Sequence, residues 1–217
     1  MKSHDAIRRM VQASLLTALA VILSIWPKFP ILPAVSWMKF EFSDIPVLLG
    51  GFSLGPVFGL GIAVLKALLN AVFTGDWNYI GLIMNIVSTG VPTVAASLLY
   101  KQKKTRARAY LSLGVFLLTQ IVVMVPMNYF FGSLNFMLFF GVPTYGEARA
   151  AMAPLLGWVA LFNLIKGAAT TVVTAIVYKP LSRTVLSKDL LAPKERQNAE
   201  QPAEETANSA ESLDKPM

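Results

Sequence analysis

Charged side chains inside an otherwise apolar stretch are the first residues of this sequence that could bind a ligand. The stretch 37–73 is almost continuously apolar, yet it carries Lys39, Glu41, Asp44 and Lys66. On insertion scales, an Asp, Lys or Arg at the centre of a membrane helix costs roughly 2.5–3.5 kcal/mol. We therefore expect these four side chains to be shielded by protein or water. For Lys66, a structural pair with Asp44 or Glu41 and a contact with a ligand both remain open.

Amide side chains and a second lysine follow in later apolar segments. Asn163 and Lys166 are three residues apart in one helical segment and so share a face. Because Lys166 has apolar neighbours on both sides, we expect it to bind a ligand or a buried partner. Asn128 lies near the outer end of another segment, whereas Asn70 and Asn85 are interpreted as interhelical hydrogen-bonding residues, a role worth about 1 kcal/mol.

Composition places these residues in a membrane protein. The chain has 217 residues, of which 55% are hydrophobic and only 14% are charged. It has no cysteine and one histidine, His4, so thiolate sites and a cysteine nucleophile are excluded. With so few acidic groups in the apolar region and no P-loop pattern, the sequence does not favour an enzyme. The net charge of +7 lies in clusters at predicted helix ends and does not indicate nucleic acid binding.

Apolar runs of about 17–25 residues define the predicted spans. Lysine and arginine clusters mark cytoplasmic ends, and the cluster at 101–108 falls on that side only if the stretch 37–73 crosses twice, with a hinge at Ser53–Pro56. We therefore predict an all-α integral membrane protein with six transmembrane helices and both termini in the cytoplasm. Residues 1–186 form the membrane domain, and the polar segment 187–217 is a disordered cytoplasmic tail. The predicted spans are Ala6–Ile25, two within Trp37–Phe73, Tyr79–Tyr100, Tyr110–Phe131 and Met152–Tyr178. The loops predicted to face outward are Trp26–Ser36, Thr74–Asn78 and Gly132–Ala151.

Small residues at four-residue spacing indicate close helix packing. Gly51, Gly55 and Gly59 show this spacing, and internal packing is the favoured interpretation. The first helix has a broad small-residue face, which either packs internally or docks another membrane subunit. That face comprises Ala13, Ser14, Thr17 and Ala18.

Several segments together resemble one family. The run Met38-Lys39-Phe40-Glu41-Phe42-Ser43-Asp44-Ile45-Pro46, then Gly55-Pro56 and Lys66, is similar to the start of the riboflavin-specific S components of energy-coupling factor (ECF) vitamin transporters. Met127-Asn128-Tyr129 and Phe162-Asn163-Leu164-Ile165-Lys166-Gly167 resemble later parts of that family. The resemblance covers roughly residues 6–180.

The resemblance implies a function and a site. An S component binds its vitamin from outside and delivers it inward with a transmembrane coupling subunit and two ATPases, in a prokaryotic cell membrane; riboflavin is its transported ligand and not a cofactor. The implied partner contact is the small-residue face of the first helix. The implied site residues are Lys39, Phe40, Glu41, Phe42, Asp44, Asn128, Asn163 and Lys166.

Chemistry gives these residues different roles. An Asn side chain offers a donor and an acceptor side by side, which matches the uracil-like edge of the isoalloxazine ring. Phe40 and Phe42 could cover the ring, and Lys166 could donate to it. Asp44 is either a site residue or the N-cap of the second helix, a position that Ser43 could also take. The alternatives are an S component for another micronutrient, an intramembrane enzyme, or a self-sufficient small transporter or channel.

Overall fold

The structure is a computed structural model and describes residues 2–177. The predicted tail, the domain boundary between residues 186 and 187, and the basic cluster that begins at Lys179 lie outside the described residues. Within them, residues up to Ala175 form one compact unit. Its α-helices are α1 (Lys2–Ile25), α2 (Asp44–Leu54), α3 (Pro56–Thr74), α4 (Tyr79–Gln102), α5 (Arg106–Met127), α6 (Ser133–Phe139), α7 (Tyr145–Met152) and α8 (156–177).

A small β-hairpin departs from the predicted all-α fold. Strands β1 (Phe29–Pro30) and β2 (Lys39–Phe40) pair antiparallel within the connection between α1 and α2, around a 3₁₀ turn at Pro33–Val35. Phe29 lies opposite Phe40, with their ring centroids 5.7 Å apart. The hairpin forms because the backbone of a non-helical connection still needs hydrogen-bond partners.

The predicted hinge between α2 and α3 is confirmed. Gly55 has a φ of 107°, a conformation that side-chain-bearing residues rarely adopt, and Pro56 begins α3. However, α2 has only 11 residues and is about 16 Å long, so it is half the length of a usual span. Five other helical stretches in the described residues are long and apolar enough to cross a membrane.

Two glycines let α2, α3 and α4 approach closely. A Cβ added at Gly59 would lie 2.8 Å from the Cα of Gly51 and 2.8 Å from a methyl of Thr93. Internal packing is therefore confirmed for these glycines. Gly55 serves the turn instead, since a Cβ added there would meet nothing within 4 Å.

The segment Gly132–Ala151, predicted to be a loop, is largely helical. After α5, the chain passes through a five-residue π-helical turn, Asn128–Gly132, directly into α6. Thr144 then caps α7 by accepting a hydrogen bond from the backbone of Glu147 at 3.3 Å. The prediction was wrong here because α7 is short and polar, so it lacks the apolar length of a span.

The small-residue face of α1 is divided by the fold. Thr17 is buried and donates to the carbonyl of Ala13, which packs against a core cluster of α1, α2 and α3. Ser14 and Ala18 are exposed. Of the four residues, Ser14 and Ala18 are therefore the most accessible to a partner, Ala13 is partly buried, and Thr17 is buried.

Candidate ligand-binding site

A cavity of about 600 Å³ opens where α3 ends and α4 begins. Ligand pockets of proteins commonly measure roughly 300–1,000 Å³. Its wall is formed by the α1–α2 connection, α3, α4, α5, the π-helical turn Asn128–Gly132 (the π turn), α6 and α8. Its lining residues include Lys28, Trp37, Lys39, Asn70, Asp76, Asn78, Asn85, Asn128, Asn135, Phe136, Phe140 and Phe162.

Five asparagine side chains are among the polar groups of the cavity wall. Asn70 donates to the hydroxyl of Ser24 at 2.7 Å and to its carbonyl at 3.3 Å, which joins α3 to α1 as predicted. Asn78 caps α4 and donates to Asn135 of α6 at 3.1 Å. These three amides are therefore held by the protein itself.

Asn85 is different because its amide oxygen lacks a partner. The oxygen is buried and accepts no hydrogen bond from the described part of the chain. A buried acceptor without a partner is costly and calls for an explanation. The sequence predicts an interhelical hydrogen bond for Asn85, whereas the structure places it in the cavity wall on α4 without a partner for its oxygen in the described residues.

The π turn places Asn128 in the cavity wall. Asn128 is 2% exposed, and its amide nitrogen donates to the carbonyl of Met124 at 2.9 Å. No other hydrogen bond of its side chain lies within residues 2–177. Gly132 follows one turn later, and a Cβ there would lie 3.4 Å from the amide oxygen of Asn128 and 3.1 Å from Met152. Asn128 thus keeps an acceptor and one amide hydrogen for a ligand.

Aromatic rings form the apolar part of the wall. Trp37 packs edge-on against Phe136 with ring centroids 5.0 Å apart, and Phe136 lies 5.4 Å from Phe140. Phe162 of α8 lines the cavity from another side. Amides together with aromatic rings suit a flat ligand that has an apolar body and a polar edge.

Period-two alternation in strand β2 separates two predicted site residues. Lys39 is exposed and lines the cavity, whereas Phe40 is buried in a cluster with Val35, Val159 and Phe162. Phe42 packs edge-on against Phe40 at 5.0 Å and against the same cluster. These two phenylalanines therefore support the wall from behind and do not line it.

Three more predicted residues meet in a buried ion-pair cluster. Lys166 lies 3.0 Å from Asp44 and 3.9 Å from Glu41, and Lys66 lies 3.4 Å and 3.5 Å from the same two carboxyls. The expectation that these charges are shielded is confirmed. Asp44 lies inside α2 and does not cap it. Ser43 takes the N-cap position, but its hydroxyl donates to Glu41 and makes no capping bond.

Asn163 lies next to Phe162, directly behind the wall. It is 2% exposed and donates to the carbonyl of Val159 at 2.8 Å, the same four-residue back-bond that Asn128 makes. Of the eight ligand residues predicted from sequence, the cavity wall thus includes Lys39 and Asn128.

Sequence reasoning also missed an arginine clamp beside the π turn. The guanidinium of Arg149 on α7 donates to the hydroxyl of Tyr129 at 2.7 Å and lies 4.7 Å above the centre of that ring. Tyr145 donates to the carbonyl of Phe130 at 3.2 Å. These contacts tie α7 to the turn that begins with Asn128. No local pattern signals this contact, because Tyr129 lies 20 residues before Arg149.

Comparisons with known proteins place the chain among transporter subunits. Residues 8–178 match the family model described as "ECF transporter, substrate-specific component". The riboflavin transporter RibU of Streptococcus thermophilus is 31% identical over 193 residues, which covers 83% of this chain and 85% of the relative. RibU of Staphylococcus aureus is 28% identical over 176 residues, covering 81% and 90%. A solved structure of the S component of a bacterial ECF transporter matches with a TM-score of 0.69 and 26% identity, covering 82% of this chain and 98% of that one.

Proposed function

This chain belongs to the family of ECF transporter substrate-specific components, and we propose that it binds riboflavin in the cavity described above. The family consists of transporter components and not of enzymes, and the helical fold with several membrane-capable helices suits a multi-pass membrane protein. Riboflavin enters the proposal through the chemistry of the wall and through the two riboflavin transporters to which the chain is similar.

The observation that carries the proposal is the pairing of amides with aromatic rings around 600 Å³ of space. The isoalloxazine ring has a flat apolar body and a uracil-like edge with one N–H between two carbonyls. Asn128 can match part of that edge with its free acceptor and amide hydrogen. Asn85 lines the cavity, and a turn of its side chain would bring the buried, unpartnered oxygen to another ligand donor, such as a ribityl hydroxyl.

We also propose roles for other residues that were predicted from the sequence. Asn163 and Lys166 lie behind Phe162 on α8, and in our proposal both become ligand donors after a side-chain rearrangement that brings them to the cavity. Lys39 contacts the ligand at the rim. Trp37 and Phe136 take over the covering role that the sequence suggested for Phe40 and Phe42.

The proposed topology has six crossings with both termini in the cytoplasm. The contact between Ser24 and Asn70, near the ends of α1 and α3, supports a parallel arrangement of these two helices. The chain must then return between them, so α2 and the preceding segment 26–43 together supply the second crossing. The basic residues at 101–108 lie at the opposite end of α4 from the cavity, which orients the cavity outward by the positive-inside rule.

The proposed partners are a transmembrane coupling subunit and two ATP-binding subunits in a bacterial cell membrane. The exposed residues Ser14 and Ala18 on α1 offer a low-relief surface on which another helix can approach closely. Thr17 faces the core and is not part of this contact.

The test is a riboflavin titration of the purified protein in detergent. Binding should quench flavin fluorescence, because the ring would lie beside Trp37 and Phe136. A folded protein that gives neither quenching nor heat with riboflavin would overturn the substrate assignment. Thermal stabilisation by a different vitamin would then favour the alternative of another S-component specificity.

A further inference from the structure

Four charged side chains form a closed cluster in the interior. Glu41, Asp44, Lys66 and Lys166 are each at most 7% exposed, and their formal charges sum to zero. Asp44 uses one carboxylate oxygen for Lys66 at 3.4 Å and the other for Lys166 at 3.0 Å. Asp44 therefore bridges the two lysines.

Lys66 lies at the centre of the cluster. Its ammonium donates to the hydroxyls of Ser43 at 3.0 Å and Thr89 at 3.2 Å, and it contacts both carboxylates. Ser43 in turn donates to Glu41 at 2.8 Å, and Thr89 donates to Asp44 at 2.7 Å. Buried charges are tolerated when they are paired and hydrogen-bonded in this way.

The cluster lies directly behind the cavity wall. Lys66 precedes the wall residue Ala67 on α3, Thr89 follows the wall residue Ser88 on α4, and Lys166 follows Phe162 by one turn on α8. Glu41 comes two residues after Lys39. The four charged residues themselves are not among the cavity-lining residues of the described chain.

We propose that Lys66 is a positioning residue for ligand binding. By balancing the negative charge of Glu41, it holds strand β2 and Lys166 of α8 in place. Without Lys66, two carboxylates compete for Lys166 alone. Glu41, whose negative charge is then not balanced, moves toward water. Strand β2 with Lys39 moves with it, away from the cavity wall. The inference rests on the proposed function for the identity of the ligand.

Charge balance gives a test that a purely structural role would not pass. Lys66→Met leaves an extra negative charge, Glu41→Gln leaves an extra positive charge, and the double variant is neutral again. Each single variant should lower riboflavin affinity by about tenfold or more, since each leaves an uncompensated buried charge. The double variant should bind more tightly than either single one. Lys103→Met, at an exposed position at the end of α4, is the matched control.

The outcomes separate the two proposals. A wild-type protein that does not bind riboflavin refutes the proposed function. Wild-type binding with unchanged affinity in both single variants refutes the positioning role. A double variant that is weaker than both single variants shows that the losses only add, which also refutes it. If Lys66→Met yields no folded protein, the comparison of Glu41→Gln with the double variant decides, because the neutral cluster must bind more tightly.

Discussion

Replacing Asn85 with leucine should move stability and ligand affinity in opposite directions. The amide oxygen of Asn85 is buried and has no hydrogen-bond partner in the described residues. Leucine has a similar size and no polar atom, so the substitution removes an unsatisfied acceptor from the protein. Asn85 also lines the cavity, so in our proposal the same substitution removes the acceptor that its side chain would turn toward the ligand.

The structure sets the expected size of both effects. A buried polar group without a partner costs about 1–3 kcal/mol, so the free energy of unfolding of the unliganded variant should rise by up to that amount. In the complex, the ligand donor that Asn85 would have accepted is left unpaired at a similar cost. At 1.4 kcal/mol per tenfold change, riboflavin affinity should fall by about 5- to 150-fold.

Thermal melting and fluorescence titration in the same detergent measure the two quantities. Asn70→Leu is the matched control, because Asn70 also lines the cavity but donates twice to Ser24. That variant should lose stability, since it breaks the bond between α3 and α1. If Asn85→Leu is less stable than wild type, or binds riboflavin equally well, the role assigned to its free oxygen is wrong.

Four further predictions concern the rest of the chain. Asn128→Leu should weaken riboflavin binding by about 5- to 150-fold in a titration, because it strands the polar edge of the ring; equal affinity would contradict the pocket. Ending the chain after Ser187 should leave riboflavin affinity unchanged in the same titration, since from its polar composition we expect the segment 188–217 to contribute no core. Ala18→Trp should retain binding but lose ATP-dependent uptake in vesicles, whereas Thr17→Trp should lower the melting temperature; the reverse pattern would refute the divided face. Arg149→Met should weaken binding by loosening the π turn, which Arg149→Lys would restore only in part because lysine lacks the planar fork.

The helix pattern could be predicted because it depends on local physics. The break before α3 follows from Gly55 and Pro56, whose backbone preferences are fixed by their own chemistry. Close packing of Gly51 and Gly59 follows from their spacing. The length of α2 could not be read in this way, because the polar residues before Asp44 are buried by tertiary contacts that a local pattern does not show.

The cavity wall was harder to predict than the cluster behind it. Asn78 and Asn135 belong to segments far apart in the chain and meet only because α6 folds back over the start of α4. With seven residues, α6 is too short to be recognised as a span of its own, so its contribution to the wall gave no periodic signal. The contact of Arg149 was equally hard to predict, because its partner Tyr129 lies 20 residues earlier in the chain.

The strongest signal in this sequence is the presence of charged residues in an apolar stretch. It indicates side chains that are costly to bury, and it does not indicate which residues lie near a ligand. Lys66 and Asp44 stand out in an apolar stretch because an unpaired buried charge is strongly destabilising. In the fold, the two side chains pair with each other. A neutral amide such as Asn85 costs far less to bury, so it looks ordinary in sequence and can remain unpartnered in the wall. In this chain, paired charges therefore support the proposed site from behind, and we expect Asn85, whose oxygen is unpartnered in the described residues, to bind the ligand.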